Sequence, residues 1–246
     1  MRYKTSRDPS LRDALTKLPC VQDDAYYSLF LSFSFSLSLF LSFSFSLFLF
    51  FSLSLHYSSS YSQLYTMKLL ESMHHHAKEH NVPIIDDPTK QYITSLLKTK
   101  KPRYCLEIGS AIGYSWIIIA KEIIQRWGTL MSFECSYPSY MKALAYTKNS
   151  RLLNMVLYFG DFLKFWSHIL PDQIDFLFID AEKASYLKYY LKCLPSLHSQ
   201  SVVLFDDIIK YKQKTADLIQ YLKKNEIDFE RKQLTEDDGV IIIENW

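Results

Sequence analysis

Glycine is scarce in this chain: five among 246 residues, all after position 100. A sequence this sparing keeps glycine where a positive φ or a close backbone approach demands it. Gly109, Gly113, Gly128, Gly160 and Gly239 therefore mark local constraints. Cysteine is also thin. Cys20, Cys105, Cys135 and Cys193 form no C-x-x-C pair and no short spacing, so they read as buried, reduced thiols of a reducing, cytoplasmic compartment. An excess of charge of either sign is missing as well. A formal net charge of +2 and a pI near 8.2 do not announce a nucleic-acid protein, and any basic surface must be local.

From Ser28 to Leu55 charge, glycine and proline are all absent; 28 consecutive residues are only Ser, Leu or Phe. The length would allow a membrane span of about 20 residues. Three features speak against one. Serine recurs nearly every second residue, giving a period of two. The preceding segment mixes Arg2, Lys4, Arg7, Arg12 and Lys17 with Asp8, Asp13, Asp23 and Asp24, unlike the positive start of a signal peptide. No small-residue cleavage site follows. Because Phe, Leu and Ser share pyrimidine-rich codons, the first reading of residues 1–66 is a misassigned upstream extension, with Met67 as the start. A membrane anchor and a low-complexity tail are the alternatives.

After Met67 the texture alternates. Helical segments are expected at Met67–His80, from the Asp86-Asp87-Pro88 cap to Leu97, and at Ser115–Gln125, Tyr137–Asn149, Tyr186–Pro195 and Lys212–Asn225. Strands are expected at Arg103–Ile108, Thr129–Glu134, Met155–Phe159, Ile174–Asp180, Ser201–Phe205, Phe229–Leu234 and Val240–Glu244. Apolar strands alternating with helices predict an α/β fold: a Rossmann-like, mostly parallel seven-stranded sheet with helices on both faces. No helix separates the last two strands, so they should close it as an antiparallel hairpin.

In such a sheet ligands bind beyond the carboxyl ends of the strands. Three strand ends carry matched chemistry. In LEIGSAIGYS (106–115), Gly109 permits a tight exit, Gly113 permits backbone approach, and Glu107 can accept from a cationic amine. The G-x-x-x-G spacing differs from the G-x-G-x-x-G of dinucleotide folds. Glu134 ends the next strand, where an acid can hold both ribose hydroxyls. Gly160-Asp161 ends the third, where a carboxylate can accept from an adenine amine; a helix cap is the plainer role for any one such acid. Further on, Asp180 ends one strand and Asp206-Asp207 the next. Adjacent strands lie about 4.8 Å apart, so these carboxylates can converge, and they would repel without a cation. Oxygen-only ligands suit Mg²⁺ or a similar hard ion.

Residues 67–246 resemble the cation-dependent O-methyltransferases, the family of catechol and caffeoyl-CoA methyltransferases. The matching runs are Val82-Pro83-Ile84-Ile85, LEIGSAIGYS, FE (133–134), GD (160–161), FLFIDAEKASY (176–186), FDD (205–207) and DGVIII (238–243). The resemblance implies S-adenosylmethionine (SAM) as cofactor, held by Glu107, Gly109, Ser110, Tyr114, Ser115, Glu134, Gly160, Asp161 and Asp180. It also implies a metal at Asp180, Asp206 and Asp207, with Asp180 and Lys183 catalytic. The family commonly has Asp-Asn where this chain has Asp206-Asp207; the extra carboxylate either alters metal binding or only caps the next segment. Asn81–Ile85 and the GSAIGYS turn look most like the bacterial branch that methylates 5-hydroxyuridine in tRNA. Lys98, Lys100, Lys101, Arg103, Lys210, Lys212 and Lys214 would then meet phosphates; solvated basic surface is the plainer account. The region after Asp207 is shorter than the family's usual acceptor-selecting loop, which keeps a small catechol-like or phenolic acceptor as the alternative. A non-catalytic SAM-binding or membrane-tethered module is the alternative of another class. Family relatives imply a homodimer. His76 and His80 share a helix face, but no third metal ligand is placed, so surface histidines are the reading.

Overall fold

A computed structural model of the protein describes residues 65–165 and 173–244, all within the unit Tyr61–Trp246. The Ser/Leu/Phe tract and Cys20 lie outside the described residues. Among the described residues no helix is long and apolar enough to cross a membrane.

The chain opens with helix α1 (residues 65–80) and α2 (Asp87–Lys100). Strands and helices then alternate: β1 (Tyr104–Ile108), α3 (Tyr114–Ile123), β2 (Thr129–Glu134), α4 (Tyr137–Ser150), β3 (Met155–Phe159) and the single turn α5 (Phe162–Phe165). Next come β4 (Ile174–Ile179), α6 (Tyr186–Cys193), β5 (Leu197–Phe205), α7 (Ala216–Lys224), β6 (Glu230–Gln233) and β7 (Gly239–Ile243). The seven strands form one sheet in the order β3-β2-β1-β4-β5-β7-β6. β1 to β5 are parallel, and β7 runs antiparallel to both β5 and β6. The order reverses between β1 and β4, which places a ligand-binding crevice at their carboxyl ends.

Period-two alternation divides the core. Phe176, Phe178, Val202, Leu204, Val240 and Ile242 face one side with α1, α2 and α3. Leu177, Ile179, Val203, Phe205, Ile241 and Ile243 face the other, with α6 and α7. Strands buried on both faces read as unbroken apolar runs, and β7, all Val and Ile after its glycine, is the extreme case.

Several boundaries moved for local reasons. Asp86 caps α2 as expected, accepting from the Thr89 N–H at 2.8 Å, but the helix runs past Leu97 to Lys100 and stops at Lys101 in a left-handed conformation. α3 tightens into a 3-10 turn at Ile124–Arg126 rather than running to Gln125 as one helix. β5 begins at Leu197, four residues early, after a register shift opposite Ile174 and Phe176. The expected Lys212 helix start is replaced by turns over residues 210–215, with α7 beginning at Ala216. Buried Thr215, whose hydroxyl donates to the Tyr211 carbonyl at 3.3 Å, holds that turn. Cys135 corrects the cysteine reading: Cys105 and Cys193 are buried, but Cys135 is exposed just past β2.

The backbones approach closely just past the ends of β1 and β4. A methyl group added at Gly109 would sit 2.2 Å from the Asp180 carbonyl oxygen, and Gly109 itself has φ +94°. Gly109→Ala is therefore expected to lower stability by about 2–4 kcal/mol, from clash and left-handed strain together. Urea unfolding checks this: an unchanged midpoint would show that the strand ends can separate freely.

Candidate active site

The turn after β1 is built by backbone bonds. Gly109 N–H donates to the Phe133 carbonyl at 2.9 Å, and Gly113 N–H to the Ser110 carbonyl at 2.7 Å. Glu134, at the end of β2, fastens this turn from the side: its Oε2 accepts from Ala111 N–H at 2.8 Å and its Oε1 from Ser136 N–H at 2.7 Å. Burial raises the Glu134 pKa, against those backbone donors. Ser110 Oγ is buried and has no hydrogen-bond partner among the described residues. A free donor in a glycine turn, beside an acid at the neighbouring strand end, fits the polar groups of a nucleoside-bearing cofactor. Past β3, Asp161 Oδ1 accepts from Leu163 N–H at 3.0 Å, which is a capping role, while Oδ2 lies 4.0 Å from Lys164.

Glu107 sits elsewhere. It is fully buried in the sheet, accepting from Ser115 Oγ at 2.5 Å and from Ser132 Oγ at 2.6 Å. Burial pushes its pKa up to about 8, outweighing the two serine hydroxyls. Tyr114 borders a groove between α1, α2 and α3 with His74 and Lys90, away from the acidic cavity described next.

That cavity, of about 830 Å³, opens beyond the ends of β4 and β5. Asp180 N–H donates to the Ile108 carbonyl at 3.0 Å and Asp206 N–H to the Ile179 carbonyl at 3.1 Å, so the strand ends are stepped together. Lys183 reaches between two of the acids: Nζ lies 2.6 Å from Asp180 Oδ1 and 2.7 Å from Asp207 Oδ2. Asp207 adopts φ +59°, a left-handed backbone that Asn and Asp tolerate better than most residues. Tyr186, fully buried, donates its Oη to the Asp206 carbonyl at 3.1 Å and ties α6 to the rim. Seven acidic side chains and three lysines line the cavity.

Burial pushes the Asp206 carboxyl well up, and the charges on Asp180 and Asp207 push it further. Burial also raises Asp180, against the pull of Lys183. Asp207 is held below the usual value, since the hydrogen bond with Asp238 and the Lys183 ammonium outweigh burial. Lys183 stays charged because the same two acids outweigh its own burial. Among the described residues no three acidic, His or Cys side chains stand ready as a metal cage. The donor set is all oxygen, however, and the Lys183 ammonium already stands in for a cation between two of its members. Chemically, the rim fits a hard divalent ion.

A family model described as O-methyltransferase matches residues 56–244. The chain belongs to the O-methyltransferase family. Its matched range begins ahead of Met67. The chain is 24% identical to a caffeoyl-CoA O-methyltransferase of Stellaria longipes over 125 residues, 48% of this chain. It spans about half the length of that relative, 52%. Among solved structures, an O-methyltransferase from Bacillus cereus in complex with SAH superposes with a TM-score of 0.64 at 18% identity, covering 72% of this chain and 91% of that one. The O-methyltransferase TomG from Streptomyces achromogenes, in complex with SAM, gives 0.63 at 17%, covering 72% and 90%. These structures share the fold.

Of the residues expected at the site, Asp180, Lys183, Asp206 and Asp207 line one cavity, together with Ala111 of the glycine turn. Glu107 and Ser115 pair inside the sheet instead, and Tyr114 faces another groove. The stretch Lys98–Arg103 precedes β1, at the opposite end of the strand from the cavity, and Lys100 pairs with Glu244 at 3.4 Å. Lys210 and Lys214 do line the cavity. Sequence reasoning gave no role to Tyr211 or Asp238. The Asp-Gly of DGVIII was the available signal for the second, because its carboxyl meets Asp207 at the hairpin turn.

Glu107 yields a pH test. Exposed Glu titrates near 4.3, so between that value and about 8 the fold holds a proton that the unfolded chain releases. Stability is then full below about 4.3 and is lost as pH rises through 8. Glu107→Gln should abolish that decline and raise Tm at pH 8 by about 2–5 °C. Thermal unfolding at pH 5 and pH 8 checks it; equal pH slopes in both proteins would refute it.

Proposed function

We propose that this protein moves the methyl group of SAM to a hydroxyl oxygen of an aromatic acceptor, with a divalent ion at Asp180, Asp206 and Asp207. The observation that carries the reading is the convergence of three carboxylates and Lys183 next to the glycine turn, in one cavity. Family membership supports the reaction class. In this reading Gly109 and Ser110 receive the methionine end of the cofactor, Glu134 the ribose, and Gly160-Asp161 the adenine, with Asp180 beside the sulfur. The ion, when bound, lowers the pKa of the acceptor hydroxyl and fixes its direction.

The chain's own groups do the rest. Lys183 takes the hydroxyl proton at Nζ only after its ammonium, gripped by Asp180 and Asp207, has been released and has passed one proton to solvent. The acceptor oxygen bonds to the methyl carbon while the carbon–sulfur bond breaks and its electron pair stays on sulfur. The sulfonium thus leaves as a neutral thioether. Holding the two reactants in line supplies much of the acceleration.

A small catechol-like acceptor is the first choice. Acidic side chains outnumber lysines in the cavity, and the basic stretch before β1 lies at the far end of the strand. A tRNA bearing 5-hydroxyuridine is the second reading, favoured by Lys210 and Lys214 around Tyr211 at the mouth, at 5.5 and 5.6 Å from the ring centroid. That arrangement suits a phosphate beside a stacked base. The unpaired thiols Cys105, Cys135 and Cys193 suit a cytoplasmic setting.

Asp180→Ala should cut kcat/KM by at least about 10³-fold, and EDTA should abolish turnover of the wild type reversibly. Full activity in EDTA would exclude the metal-assisted mechanism. For the acceptor, methyl transfer is measured on a catechol panel and on tRNA from a strain lacking the modification. Catechol turnover that added salt leaves unchanged, with none on tRNA, is the expected pattern; salt-sensitive turnover on tRNA alone would reverse the order of the two readings.

A further inference from the structure

We infer that Lys183 is the built-in counter-ion of the acidic rim, and that a divalent ion enters only by displacing its ammonium. The inference rests on the metal-assisted reading above. Its basis is geometric. The Lys183 side chain is 11% exposed and makes two short ion pairs, 2.6 Å to Asp180 and 2.7 Å to Asp207. Both partners belong to the proposed ligand set, and the third member, Asp206, is buried beside them. The rings of Tyr186 and Tyr211 face the same ammonium at 5.3 and 5.8 Å from their centroids.

Two features make this a specific grip rather than chance proximity. Lys183 opens a 3-10 turn, Lys183–Ser185, whose cap Glu182 accepts from Ala184 N–H at 3.3 Å, so the lysine stem starts from a fixed point. The residue at 207 is an acid. An amide there would offer Lys183 an oxygen without a charge, whereas Asp207 closes a charge-assisted bridge from β4 to β5. An ammonium and a divalent ion want the same carboxylate oxygens, and the like charges exclude one another at this range. Each ion that binds must therefore release the two Lys183 bonds. That release also removes the ion pairs that hold Nζ as an ammonium, so that Nζ, once its own proton has passed to solvent, can take the acceptor proton.

The test compares Mn²⁺ binding, followed by electron paramagnetic resonance without cofactor or acceptor, in the wild type, Lys183→Met and Lys183→Arg. Removing the competing cation should tighten Mn²⁺ binding by about tenfold or more, while Lys183→Arg should stay near the wild type. A second measurement needs no variant: acylation of wild-type Lys183 by a water-soluble amine reagent, mapped by mass spectrometry, should quicken severalfold when Mg²⁺ saturates the protein. Exposed Lys223 serves as the internal reference. Equal Mn²⁺ affinity in the wild type and a folded Lys183→Met, or Lys183 labelling that Mg²⁺ leaves unchanged, overturns the inference and leaves the metal reading standing. If no ion binds any of the three proteins, the metal reading falls and takes this inference with it.

Discussion

The contact between Gly109 and the Asp180 carbonyl is the constraint on which the site depends. It fixes where β1 ends relative to β4, and those two ends carry the two halves of the proposed chemistry. One half is the glycine turn, fastened by Glu134. The other is the acidic rim that starts at Asp180. Any side chain at position 109 would push the halves apart, because the obstacle is backbone and cannot rotate away. The strand order reverses at this pair of strands, so no other place in the sheet offers the same crevice.

Around that contact, charge is arranged in layers. Glu107 lies deepest, its pKa pushed up by burial and its carboxyl satisfied by two serines. Asp206 is nearly buried and also inclined to hold its proton. Asp180 and Asp207 reach further out and share the Lys183 ammonium. The gradient follows burial, since water is what makes a lone carboxylate cheap to ionise. The sequence spacing Asp180-x-x-Lys183 is long enough for the chain to turn once and return the ammonium to the acid it has just left.

The fold was legible because both of its signals are strong. Apolar runs such as Ile174–Ile179 and Val240–Ile243 admit only strands buried on both faces, and the missing helix before β7 forces an antiparallel return. The acidic rim was legible because acids directly after apolar strands have one place to go. What the sequence did not disclose was direction. In the turn LEIGSAIGYS nothing marks that Glu107 and Ser115 would spend themselves on one another and on Ser132, or that Tyr114 would face away. Likewise, a basic cluster in sequence is silent about which end of a strand it occupies; Lys98–Arg103 and Lys210–Lys214 look alike until the topology separates them. The start of α7 was misjudged because residues 211–215 form turns closed by the buried Thr215 hydroxyl on the Tyr211 carbonyl, a local side-chain bond that helical periodicity does not carry.

The acid-rich lining of the cavity has a bearing on turnover. In the proposed reaction the donor arrives with a positive sulfonium and departs without it, while the surrounding carboxylates keep their number. Attraction towards the sulfur end of the cofactor is therefore strongest before the transfer and weaker after it. Each cycle would erase part of the force that loaded the site, so a wall that recruits the donor by charge also helps to let the spent thioether go.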